Sequence, residues 1–441
     1  MPSTPARIGH GPFTKALVLE GPDQTLDEHL ADIGITAFRP DATPNEEELI
    51  SLLQQDSYDL IYKRSRVPIT ARVLDAAPSV SAIMLCCIGD DSVDKEACAK
   101  RGVLVLNDPV SNARSVVELF VGAMIGMSRR MFEAVAETND SQFLKSQSQR
   151  YEVRGKVLGV FGLGNIGKQV AQVGESLGMR VVFYDNRDVA REVGETMGWT
   201  YLPDLTTLFR ESDVVTCHIS AADYRGDSND QIIRAEHFAA MGERAKSSPR
   251  LFVNLARGNI FAADDLVAAV EADHVSRAMV DVYPDEPKSA DEAWPNPYAG
   301  NPRIFGTPHI GAATLEAQPR IAAHVARSTK HLSHGGRLRN CVMAPKVEIG
   351  LDQVSDFDHI LTVVHSNRRG TKKAVDDAIF HAGASNLTSA HRDFAAYGIA
   401  YEVVAIDKPL TDAQLQGLVD EAAEISGDPH AVRALRQISK R

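Results

Sequence analysis

The run Val160-Phe161-Gly162-Leu163-Gly164-Asn165-Ile166-Gly167 restricts the fold of this chain more than any other stretch. An apolar, β-rich segment leads into it and a helical pattern over 165–177 follows. That strand–turn–helix context is what gives G-x-G-x-x-G its meaning. Gly162 permits the tight turn, Gly164 lets backbone approach a pyrophosphate, and Gly167 lets the helix pack closely on the strand. The helix N-terminus, with Asn165 and Ile166 in its first turn, faces the anion. The next strand-like run ends at Asp185, about 18 residues after the last glycine, where a carboxylate accepts from two ribose hydroxyls. The same carboxylate repels a 2′-phosphate, so NAD is expected over NADP. Arg187, two residues on, weakens that inference, since its guanidinium can swing toward such a phosphate; as a loop residue it reads first as a solvated charge.

Around this motif, short β-rich runs alternate with helical patterns, the rhythm of βαβ units on parallel sheets. One series of strands runs through 16–19, 60–62, 82–85 and 103–106, and a second through 157–161, 181–184, 214–217, 251–254 and 278–280. Two doubly wound domains are expected, joined by a helix over 114–136. A further helix over 314–332 ends at Gly335-Gly336, a helix stop and linker signal. Beyond it the order is β (358–364), α (371–381), β (387–390), β (400–406), α (412–425), β (431–438), that of a ferredoxin-like α+β domain. The polar stretch 141–150 reads as an exposed loop, and 1–13 as a disordered tail.

Charge narrows the partners. With 47 Lys and Arg against 59 Asp and Glu the formal charge is −12, which repels a polyanion and speaks against nucleic acid. The longest apolar stretch, around 119–127, is about half of what a membrane-spanning helix needs. The first residues lack the pattern of an export signal, and five cysteines without a C-x-x-C pair suit reduced thiols, so a cytoplasmic protein is expected. Cys86 and Cys87 read as buried core thiols, and no metal site is expected.

Three residues stand shortly after strand-like runs, where the loops of a parallel sheet face its ligand crevice. They are Arg257 in N-L-A-R-G, Glu286 in D-V-Y-P-D-E-P and His309 in T-P-H-I-G. An imidazole can pass a hydroxyl proton in both directions near neutral pH, a carboxylate beside it steadies its protonated form, and a guanidinium grips a carboxylate in a fork. The glycine loop and these three runs, in this order and at these intervals, resemble the D-isomer-specific 2-hydroxyacid dehydrogenase family.

The resemblance implies a Rossmann-type NAD domain (112–312) inserted in a flavodoxin-like substrate domain (1–111 and 313–350). It makes Arg257, Glu286 and His309 catalytic and puts Ala256, Asp281 and Val116 beside the cofactor. The runs Y-K-R-S-R (62–66), C-I-G-D-D-S-V-D (87–94) and N-D-P-V-S-N-A-R-S-V (107–116) are similar to members acting on a phosphorylated 2-hydroxy acid. They offer Arg64, Arg66, Gly89 and Asn112 as substrate-binding, with Arg39 and Lys145 as further cations. The turn H-S-N-R-R-G (365–370) is similar to the H-x-N-x-P-G turn of an ACT regulatory domain, with Arg369 in place of the proline. It implies an L-serine effector held by His365, Asn367 and Asn386, in a domain spanning 351–441 of a homo-oligomer. The same three catalytic residues would also serve glyoxylate, hydroxypyruvate, 2-oxoglutarate or 4-phosphoerythronate. A non-catalytic NAD-sensing assembly protein is the alternative outside enzyme chemistry.

Overall fold

The computed structural model describes residues 5–440 apart from 224, 246, 288–291, 345–346 and 353. The chain divides into two compact units, one formed by Met1–Ser111 with Gln318–Arg441 and the other by Asn112–Ala317.

The first unit begins with a strand, β1 (Arg7–His10), where the sequence suggested a disordered tail. Next come β2 (Lys15–Val18), β3 (Thr36–Phe38), β4 (Leu60–Lys63), β5 (Ala82–Leu85) and β6 (Leu104–Asn107), which pair in parallel in the order β3-β2-β4-β5-β6. This is the flavodoxin-like order, with the first strand of the series one in from the edge.

The second unit holds the longer parallel sheet. Its strands are β7 (Val157–Phe161), β8 (Arg180–Tyr184), β9 (Thr200–Tyr201), β10 (Val214–Cys217), β11 (Leu251–Asn254), β12 (Arg277–Val280) and β13 (Ile304–Gly306), in the order β13-β12-β11-β10-β7-β8-β9. Apolar clusters cover both faces, so the strands read as continuous hydrophobic runs. The helix expected over 114–136 is two, Ala113–Ser128 and Met131–Asn139, broken at Arg130, whose φ of 52° is left-handed. Past the break the Phe132 ring folds back over Gly126, where a Cβ would lie 2.8 Å from it.

In the first unit, the helix Ala317–Gly335 ends at Gly336, whose φ is 64° and whose carbonyl accepts a 2.6 Å hydrogen bond from the Tyr401 hydroxyl. Beyond it β14 (His359–Ser366), β15 (Asn386–Phe394), β16 (Ile399–Ile406) and β17 (Val432–Ser439) form an antiparallel sheet in the order β17-β14-β16-β15, with helices Thr371–His381 and Asp412–Ser426 sharing one core with it. This is the ferredoxin-like order.

β1 pairs in parallel along the outer edge of β17. Side-chain contacts hold it and the residues after it: Arg7 donates to the carbonyls of Arg101 and Gly102, Arg436 donates to the Gly11 carbonyl, and the Arg436 guanidinium lies 4.0 Å from the centre of the Phe13 ring. Edge pairing needs only backbone groups, so a short polar segment can supply it. Residues 1–4 of the expected tail lie outside the described residues. Cys86 is buried as expected, whereas Cys87 is half-buried.

Candidate active site

The carboxyl ends of β7, β8, β11, β12 and β13 carry the groups that matter, all within the second unit. After β7, Gly162 has a φ of 90°, and a Cβ there would overlap the His218 carbonyl. A Cβ on Gly167 would overlap the Gly162 carbonyl, so the helix Asn165–Ser176 approaches the turn only because that residue is glycine. Around Gly164, the residue before that helix, nothing stands within 4 Å of where a Cβ would be. That open place at a helix N-terminus fits a pyrophosphate.

At the end of β8, Asp185 is buried and its Oδ2 accepts from the Leu163 amide at 2.8 Å, locking the glycine turn to the neighbouring strand. Arg187 is not a solvated loop charge. Its Nε and Nη2 grip Asp185 at 2.8 and 2.6 Å, and its backbone N–H adds a third hydrogen bond at 3.0 Å.

Past β11, Asn254 shapes the loop that carries Arg257: its side chain accepts from the Ala256 amide and donates to the Arg257 carbonyl. Arg257 donates Nη1 to the Ala256 carbonyl at 2.8 Å. Gly258 lies so close to the Tyr283–Pro284 backbone that any side chain would overlap it, which brings the Arg257 loop against the Glu286 loop. Tyr283 is the post between them. Its amide donates to Glu286 Oε1 at 3.1 Å, and its hydroxyl fills the place a Cβ on Gly306 would take.

Glu286 Oε2 and His309 Nδ1 are 2.7 Å apart. The hydrogen bond to Glu286 lifts the imidazole above its ordinary pKa; burial opposes this, the charges of Glu286 and Asp281 add to it, and Arg257 pulls the other way. For the Glu286 carboxyl, burial works upward, but the hydrogen bond and charge of His309, the Tyr283 amide and Arg257 outweigh it and hold the group below its usual range. With Nδ1 held by the carboxylate, Nε2 is the nitrogen that can exchange a proton with substrate.

His309 has a left-handed φ of 54°, a conformation costing an imidazole-bearing residue about 1–3 kcal/mol unless its surroundings impose it. Asp281 imposes it. Fully buried at the end of β12, it accepts from Thr307 Oγ1 (2.6 Å), the Ile310 amide (2.8 Å) and the Gly311 amide (2.8 Å), pinning the loop on both sides of His309. The sequence reading placed Asp281 beside the cofactor; the structure gives its carboxylate the work of positioning His309. Val116 sits against Gly311 on this loop, and Ala256 is buried next to Arg257.

Among the remaining expected site residues, Asn112 lies at the start of the helix Ala113–Ser128, 7% exposed, and its Oδ1 has no hydrogen-bond partner. Lys145 lies in the exposed segment before β7. In the first unit, Arg64 and Arg66 follow β4 where the chain bends, and the Gly89 carbonyl accepts from Cys87 Sγ at 3.2 Å. Arg39 has other work: its guanidinium is forked on Asp27 and donates to the carbonyls of Pro22 and Asp23. Lys63, which the sequence reading passed over, is buried, with Nζ on the Arg64 carbonyl and Ser92 Oγ, both at 2.6 Å. In the ferredoxin-like domain His365 is buried, Asn367 is half-buried with its amide on the Gly398 carbonyl, and Asn386 is exposed at the start of β15.

Residues 121–311 match the family model described as D-isomer specific 2-hydroxyacid dehydrogenase, NAD binding domain. The chain is 31% identical to a D-3-phosphoglycerate dehydrogenase of Escherichia coli over 404 residues, 92% of this chain and 94% of that one. The chain belongs to the D-isomer-specific 2-hydroxyacid dehydrogenase family. D-3-phosphoglycerate dehydrogenase 1 of Saccharomyces cerevisiae is 30% identical, covering 93% of this chain and 86% of its own length. Among solved structures, a glyoxylate reductase from Paecilomyes thermophila shares the fold with a TM-score of 0.63 and 23% identity, over 75% of this chain and 98% of that one.

As a member of this family the chain is an NAD-dependent dehydrogenase. The open place at Gly164 fits the pyrophosphate of NAD, whose adenosine ribose would lie toward Asp185 at the end of β8. Bound there, the nicotinamide supplies the acceptor for hydride. No helix of the described residues is long and apolar enough to cross a membrane.

Proposed function

We propose that this dehydrogenase oxidises D-3-phosphoglycerate to 3-phosphohydroxypyruvate, the opening step of L-serine synthesis, and runs the reverse reduction with the same residues. The observation that carries the reading is the likeness to D-3-phosphoglycerate dehydrogenases over 92% of the chain. His309 Nε2 takes the proton of the C2 hydroxyl, and Glu286 stabilises the imidazolium that results. Arg257 grips the substrate carboxylate and polarises the oxygen being oxidised. Asn112, with its orphaned buried Oδ1, accepts from a substrate hydroxyl. Arg64 and Arg66 are the cations assigned to the phosphate, with Gly89 lending backbone and Lys145 a further charge.

The ferredoxin-like unit is assigned to regulation, as an ACT domain taking L-serine through His365, Asn367 and Asn386. β15 is an outer strand of its sheet and β1 covers the opposite edge, so β15 is the edge that would pair with a second copy in a homo-oligomer. A cytoplasmic location belongs to the same reading.

The test is NADH oxidation with 3-phosphohydroxypyruvate beside glyoxylate, hydroxypyruvate and 2-oxoglutarate. The phosphorylated acid is expected to lead in kcat/KM by at least about tenfold. A higher value for any unphosphorylated acid sinks the substrate assignment, and turnover of none favours an NAD sensor.

A further inference from the structure

The Asp185 carboxylate is already full. An ionised carboxylate offers about four acceptor sites. Here Oδ1 takes the Arg187 amide and Arg187 Nε, and Oδ2 takes the Leu163 amide and Arg187 Nη2. Two of the four donors come from a guanidinium, so the pair carries no net charge. The Arg187 side chain is 21% exposed and that of Asp185 4%, so the fork is held at the rim of the site rather than loose in solvent.

Two further carboxylates stand near the fork and keep their charge: Asp223, which accepts from the neutral Asn186 side-chain amide at 2.8 Å, and Asp188, in the first turn of the helix Asp188–Thr196 that Arg187 precedes. Arg191 is paired with Glu195 over the Tyr201 ring, so Arg187 is the cation committed to Asp185.

We propose that Arg187 sets the dinucleotide selectivity of this chain, and sets it loosely: by neutralising Asp185 it removes the charge that excludes a 2′-phosphate, so the site accepts NADPH as well as NADH. A ribose diol must displace both side-chain hydrogen bonds of Arg187 to reach the carboxylate, which weakens NADH. A 2′-phosphate instead gives the guanidinium a dianionic partner at the place it already occupies.

The inference rests on the dinucleotide site and is independent of which hydroxy acid is the substrate. It is tested on the full-length protein without substrate, by fluorescence titration with NADH and with NADPH. In the wild type the two dissociation constants are expected within about tenfold of each other. Removing the guanidinium in Arg187→Ala, and in Arg187→Gln as a variant of similar length, should tighten NADH and weaken NADPH. Their ratio should rise by at least about tenfold. A smaller rise in both variants overturns the proposal, as does a wild type that already prefers NADH by more than about a hundredfold. Failure of the wild type to bind NADH would instead remove the dinucleotide site itself.

Discussion

His309 and His365 each face a glutamate, in different parts of the molecule, and the two imidazoles move in opposite directions. His309 Nδ1 is 2.7 Å from Glu286, with the side chains 49% and 35% exposed. His365 Nε2 is 4.0 Å from Glu402, with 1% and 0%. At the first pair the hydrogen bond outweighs burial and the imidazole is raised. At the second, burial dominates and pushes His365 down to about 4, with the neighbouring His391 and Lys372 adding to the effect and the Ser366 carbonyl and Asp393 opposing it.

Glu402 has already met its charge elsewhere, on Lys372 Nζ at 2.7 Å, so it has little need of an imidazolium. Its Oε2 and His365 Nε2 are both left without partners. A carboxylate raises an imidazole only when it is close enough to bond and not spent on a stronger cation. The first imidazole is steadied in its protonated form by its carboxylate, and the second is kept neutral by burial.

The sharpest way to break this contrast is His309→Ala. Loss of the proton acceptor should cut kcat by about 10²- to 10⁴-fold while NADH still binds, because the pyrophosphate turn is built from other strands. Near-normal turnover beside unchanged cofactor titration would remove His309 from catalysis.

The second pair should show in stability rather than rate. The unfolded chain accepts a proton on His365 near pH 6.5 and the folded chain only near 4. Stability of the ferredoxin-like domain therefore falls as pH drops between those values, by up to about 3 kcal/mol from this group alone. Amide exchange along β14 and β16 at pH 7 and pH 4.5 should show that loss, and His365→Leu should flatten it. An equal loss in the variant would mean that His391 or a carboxylate is responsible.

Glu286→Gln should be the mildest, costing about tenfold in kcat. Because it removes the group that raises the imidazole, the pH at which oxidation switches on should move toward acid. A profile unchanged in position would mean that Asp281, Arg257 and burial set the His309 pKa.

The glycine turn was legible because its demands are steric and local: at Gly162 and Gly167 only a missing Cβ fits, and the partners lie within the turn or one strand away. Arg257, Glu286 and His309 were legible as a set, through the runs that carry them. The struts beneath them were not. Asp281 holds residues 307–311 across about 26–30 positions of sequence, and nothing in its own run shows which donors it will meet. Arg187 reads as a surface charge and Arg39 as a cation for substrate, and each is committed to a carboxylate that the sequence offers no means of choosing. β1 was missed because its partner strand is the last in the chain and its own residues carry no alternating pattern.

That last pairing also bears on how the chain is made. β1 leaves the ribosome long before its partner β17; the hydrogen bond between Arg436 and Gly11 spans 425 positions. Closing so long a loop is slow compared with local pairing. Until β17 emerges the segment around Arg7 has no edge of that sheet to join, so the small sheet gains this strand late. A folded segment inserted just before Arg7 should therefore disturb late assembly of this sheet more than it disturbs the cofactor fold.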